Sequence, residues 1–156
     1  MFDRKTVIIG AWTLFAVLLG SHVFAQDDVV EKRKAIMRGN NDAVSKAIKQ
    51  AVEEKDYATI ELKAKDIMDG LDAASKLFPP NSTQNKSRAH PDIWTKNDEF
   101  KSDLANARKA ADALRKAAAD KNEAEVNVKV KDLGNNREGA CGNCHKTFRT
   151  DFRKDS

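Results

Sequence analysis

Apolar residues recur along this chain at intervals of three, four and seven, separated by polar faces, and that rhythm predicts amphipathic helices. Across residues 28–54 the stripe is Val30, Met37, Val44, Ala47, Ile48 and Ala51, uninterrupted by proline, with Asp27 or Asp28 placed to cap its start. Residues 57–77 carry a second stripe through Ile60, Ala64, Ile67, Leu71, Ala74 and Phe78, which Pro79 and Pro80 bring to a stop. The following "NSTQNKSRAH" is polar and aperiodic and reads as a long loop over the surface, closed by residues 91–94. A third helix over 97–120 places Phe100, Leu104, Ala107, Ala111, Leu114 and Ala118 inward. The fourth stripe, Val126, Val130 and Leu133, meets "GNNREG", which predicts a kink or short break. No stretch alternates with the two-residue period of a half-buried strand.

Four such stripes are buried most simply in an all-α, antiparallel four-helix bundle. The low glycine and proline content, 7 and 3 residues, agrees with mostly helical structure. Many inner positions are alanine, so the core is thin unless something large and apolar fills it.

The start of the chain sets the compartment. "MFDRK" is short and basic, "TVIIGAWTLFAVLLG" is apolar, and "SHVFA" ends the run with a small-residue pattern. Residues 1–25 therefore read as a secretory signal peptide cleaved before Gln26, because the run is shorter than the ~20 apolar residues of a spanning helix. This leaves one domain, residues 26–156, exported to the periplasm and without stable membrane insertion. Losing Arg4, Lys5 and Asp3 barely alters the formal net charge of +4. That mild excess, spread along the chain, lacks the basic stripe of a nucleic-acid binder.

Candidate chemistry is concentrated in "EGACGNCHKTFR", residues 138–149, which holds both cysteines. Cys141, Cys144 and His145 have the C-x-x-C-H spacing of c-type haem attachment, in which two thiols bond the haem vinyl groups and the imidazole binds iron. On a helix, positions i, i+3 and i+4 share a face, so all three can meet one porphyrin. Zinc wants four ligands, and after the leader only the remote His90 could be added. A haem-free thiol or disulfide-stapled helical domain is the alternative from another class. It lacks the βαβ context of a redox C-x-x-C pair, and so small a disulfide loop constrains little of the unfolded chain.

"RKAIM", "LFPP", "HPDIW" and "ACGNCHKTFR" together resemble the class II cytochromes c, the cytochrome c-prime family. The resemblance implies a four-helix bundle with one covalently bound haem c, anchored by Cys141 and Cys144, with His145 as proximal ligand. Tyr57 and Arg33 anchor the alignment, and on it Met37 stands where five-coordinate members carry an apolar residue. The chain is thus similar to the low-spin, six-coordinate His/Met branch. A saturated iron implies electron transfer with redox partner proteins rather than enzymatic catalysis. The alternative is a five-coordinate member that binds nitric oxide or carbon monoxide. The same resemblance places Arg33 and Arg149 near the haem propionates or face, Phe148 on the proximal side and Trp94 at the haem edge. For the arginines a solvated surface charge competes with this reading, and for the aromatics ordinary core packing does. His90 is the other candidate sixth ligand, and Met68 reads as packing. Family members often form dimers, which leaves a homodimer open. One departure stands out: the family's fourth helix continues toward the first cysteine, whereas "GNNREG" is inserted here, bringing Arg137 into question as a propionate neighbour.

Overall fold

The structure is a computed structural model that describes residues 17–83, 87–134 and 138–150, with side chains from residue 28 onward. The first stripe forms one long rod: α1 (Val17–Asp42), a π-helical segment (Ala43–Ile48) and α2 (Lys49–Glu54). It is followed by α3 (Tyr57–Ala74), a single turn α4 (Asp92–Thr95), α5 (Asn97–Ala119), α6 (Glu123–Leu133) and α7 (Ala140–Phe148). The rod, α3, α5 and the α6–α7 pair are the four arms of an antiparallel bundle.

Two matching turns close one end of it. Lys55 leaves the rod with φ 55, and Asp56 then caps α3 by accepting from Thr59 N at 3.1 Å and Thr59 Oγ1 at 2.6 Å. Lys121 leaves α5 with φ 51, and Asn122 Oδ1 caps α6 by accepting from Glu125 N at 3.2 Å. Each turn spends its left-handed residue on satisfying carbonyls at the helix end, then supplies a side-chain oxygen to the orphan amides of the next helix. Lys55 Nζ lies 2.8 Å from Glu123, so the two turns meet.

Between them the core is built from Ile60, Ile67, Leu114 and Val126, all buried, alternating with the buried alanines 64, 107, 111 and 118. Each large aliphatic side chain contributes roughly 1.5–3 kcal/mol by leaving water. The alanines let α3 and α5 approach closely but add little apolar area of their own.

Several expectations are corrected. The helix already runs at Val17, so neither Asp27 nor Asp28 caps it. Residues 1–16 of the expected leader lie outside the described residues. Among the described residues no helix is long and apolar enough to cross a membrane. α3 ends at Ala74 rather than near residue 77, where the ladder tightens to Lys76 N→Ala73 O and Leu77 N→Ala74 O; beyond it Leu77 O accepts from Arg33 Nη1 at 3.1 Å and Phe78 O from Trp94 Nε1 at 3.2 Å. The polar "NSTQNKSRAH" is more than a surface loop, since Ser82 is fully buried and Ala89 forms an isolated antiparallel bridge with Arg149. The expected break in the fourth arm is present, and it closes on itself. A Cβ on Gly139 would stand 2.3 Å from Gly134 O, so only glycine permits the two ends of "GNNREG" to touch. Arg137 lies outside the described residues.

Candidate functional site

α7 brings Cys141, Cys144 and His145 onto one helical face. A helix of 9 residues is marginal alone, and its far end is tied down by backbone bonds from a distant segment. His90 N donates to Phe148 O at 2.9 Å and Thr150 N to Arg88 O at 2.9 Å, on either side of the Ala89–Arg149 bridge. Behind the motif, Phe148 packs edge-on against Phe100 with centroids 5.2 Å apart, and Phe100 meets Phe78 in the same way at 4.8 Å. The Arg33 guanidinium sits 4.8 Å above the Phe78 ring, completing a ladder from α7 across to α1.

The ladder is one wall of a cavity of about 440 Å³. Cys141, Cys144 and His145 line it from α7, and Met37 and Val44 from the rod. Leu71, Ile93 and Leu104 add apolar wall, while Lys34, Arg38, Arg88 and Arg149 supply cations. Burial pushes the Cys141 thiol up to about 11 and the Cys144 thiol to about 12, the latter helped by the nearby Asp103 and Cys141. Both sulfurs are free and stay protonated at neutral pH. Among the described residues no group of three or more His, Cys, Asp and Glu side chains is arranged to hold a bare metal ion. An apolar slot with two thiols and an imidazole in one wall, a thioether in another and cations among its lining residues fits a porphyrin with its vinyl groups, iron and carboxylates.

Seven of the eight residues singled out from the sequence line this cavity: Cys141, Cys144, His145, Met37, Arg33, Arg149 and Phe148. Trp94 is not among its lining residues. Its indole N–H is donated to Phe78 O, so its visible work is to pin the segment after α3. His90 does not line the cavity either. Its Nδ1 accepts from Asp92 N at 3.1 Å, turned toward its own helical turn.

Arg33 is 4 % exposed, and all four of its Nη hydrogens are donated. Nη1 reaches Leu77 O at 3.1 Å and Ser82 Oγ at 2.7 Å; Nη2 reaches Ser82 O and, at 2.6 Å, Ser87 Oγ. Burial lowers its pKa, yet a guanidinium stays charged. No carboxylate forms an ion pair with it among the described residues.

The sequence reading missed Arg38, Arg88 and Asn40 as lining residues. Arg88 arrives only through the bridge to α7, which no local pattern announces. Asn40 lies one turn after Met37, and its Nδ2 is buried without a hydrogen-bond partner among the described residues, a state that costs roughly 1–3 kcal/mol.

The fold and the C-x-x-C-H helix define a four-helix-bundle c-type cytochrome. Residues 28–149 match the family described as Cytochrome C', and the chain belongs to that family. It is 29% identical over 153 residues to cytochrome c-556 of Rhodopseudomonas palustris, covering 94% of this chain and 96% of the relative. A solved cytochrome c' with ligand-controlled dimer dissociation superposes with a TM-score of 0.71 at 24% identity, covering 80% of this chain and 95% of that one. A nitric oxide complex of a mutant cytochrome c prime from Alcaligenes xylosoxidans gives 0.68 at 19% identity, covering 80% and 94%. Members of this family bind one covalently attached haem c, and Cys141 and Cys144 occupy the matching motif.

Proposed function

We propose that the protein is a periplasmic electron carrier, not an enzyme, whose haem is anchored by Cys141 and Cys144 and ligated by His145 and Met37. Bound haem iron supplies a one-electron couple. Each thiol would add across a vinyl group, sulfur to one carbon and hydrogen to the other, with nothing lost. The observation that carries the reading is the presence of Met37 in the wall of the same cavity as His145, on a face also occupied by Arg33. A His/Met pair would saturate the iron and raise its potential. Arg33, a buried cation without a carboxylate partner among the described residues, supports a haem propionate as its counter-charge, with Nε–H left to donate. Arg88 and Arg149, which line the same cavity, would hold the other carboxylate, and Phe148 would pack under the proximal side.

A second reading is a five-coordinate cytochrome c' that takes nitric oxide or carbon monoxide. The solved relatives favour it, one being described as a nitric oxide complex and another as a dimer whose dissociation a ligand controls. On that reading Met37 is an apolar guard over an open iron position, and dimerisation is the expected partner interaction.

The absorption spectrum of the reduced protein separates them. A low-spin spectrum indifferent to carbon monoxide is expected, and Met37→Leu should convert it to a high-spin, carbon-monoxide-sensitive one at a stability cost under about 1.5 kcal/mol. A high-spin wild-type spectrum, or one that Met37→Leu leaves unchanged, would remove Met37 from the iron and leave the gas-binding reading.

A further inference from the structure

Asn40 is a half-buried polar side chain, its Nδ2 fully shielded from solvent, that the reading above does not use. It lines the haem cavity and also a second depression of about 680 Å³ on the other side of α1. Its amide is pressed against α3 at Gly70, where a Cβ would stand 2.6 Å from Asn40 Oδ1, so the absence of a side chain at 70 is what admits it. Nδ2 is buried and has no hydrogen-bond partner among the described residues, a donor held in place with nothing there to donate to.

Position along α1 narrows what the acceptor can be. Arg33 lies four residues before Met37 and Asn40 three after, so they are separated by about 10 Å along the helix axis. Arg33 is tied to Ser82 and Ser87, and Arg149 to the Arg88–Ala89 strand, the side on which the proposed function puts the haem carboxylates. Asn40 sits beyond Met37, away from that group of cations. We propose that Asn40, positioned by Gly70, donates a hydrogen bond to the acceptor atom at the distal position of the haem iron. This rests on the haem reading, but not on which distal ligand is present. The acceptor is Met37 sulfur in a six-coordinate protein or the bound diatomic in a five-coordinate one.

The test uses the haem-loaded protein with Asn40→Leu and, in case leucine disturbs packing, Asn40→Ala. If sulfur is the acceptor, both variants stay low-spin and the reduction potential falls, because the donor draws electron density from the ligand and favours ferrous iron. A tenfold change in that equilibrium is about 59 mV for one electron. If a diatomic is the acceptor, nitric oxide dissociates about tenfold faster, the loss of one hydrogen bond, and the carbon monoxide stretching frequency shifts. Gly70→Ala should move the same readout in the same direction by less, and add nothing to Asn40→Leu. Variants that only melt earlier, with potential, nitric oxide release and carbon monoxide stretch all unchanged, would overturn the role. A wild-type protein that is colourless after maturation would instead end the haem reading itself, and this proposal with it.

Discussion

The two ends of the bundle are built by different means. At the turn end, Lys55–Asp56 and Lys121–Asn122 reverse the chain within a few residues, using a left-handed residue and a capping side chain each time. At the haem end the chain is held by buried Arg33, a ring ladder and a β-bridge, which join residues far apart in sequence, and by the contact of Gly134 with Gly139. Short local motifs suffice where nothing needs to be bound. Holding a cavity open against collapse demands long-range ties, because its walls cannot be supported by their own neighbours in sequence.

The sharpest break in this contrast removes the haem end's purpose. Replacing Cys141 and Cys144 by serine should abolish haem staining on a denaturing gel, whereas Asn122→Ala at the opposite end should leave it intact. Next in size is Phe100→Ala, which takes out the middle of the ring ladder and should cost about 3–5 kcal/mol in chemical denaturation. Arg33→Met comes close behind, at about 3 kcal/mol, since it strands the buried Ser82 groups. Arg33→Lys should recover little, because an ammonium cannot reproduce the fork. Asn122→Ala removes one cap and should cost only about 1 kcal/mol, and a loss as large as that of Arg33→Met would contradict the division drawn here.

The smallest effects have opposite signs at the two ends. Asp56 is held below the usual carboxylate range, first by the Thr59 hydroxyl and then by its amide. Its stabilising contribution is present above the unfolded-state pKa and is lost as pH falls through the lower folded value. Asp103, beside Cys144, is raised by burial and then by Glu99. Its penalty is full above the raised folded pKa and vanishes as pH falls below the unfolded one. Thermal melts should therefore show Asp56→Asn slightly destabilising near neutrality with a shallower acid limb. Asp103→Asn should be slightly stabilising near neutrality and silent in strong acid. Like signs for the two would show that burial does not dominate at Asp103.

The helical stripes, the break after Leu133 and the haem motif were legible because each is a local pattern: apolar spacing sets a helix face, and two thiols and an imidazole within one turn must share it. Less legible was anything depending on who meets whom. The polar run after Pro80 looks like solvent-exposed loop by composition, yet Ser82 is buried because Arg33, from α1, needs acceptors there. For Trp94 haem-edge and core-packing readings competed, and the structure adds a partner no local pattern announces, the carbonyl of Phe78.

By itself, then, the sequence determined the helical bundle, the attachment of haem through Cys141 and Cys144, and the helix carrying Met37. Only the tertiary structure decided which cations line the cavity, that Arg33 is a buried strut, and that Asn40 rests on Gly70 with a donor to spare. The reason is physical: periodicity constrains neighbours within a turn or two, whereas a buried charge or amide is defined by the partners that packing brings to it, often dozens of residues away.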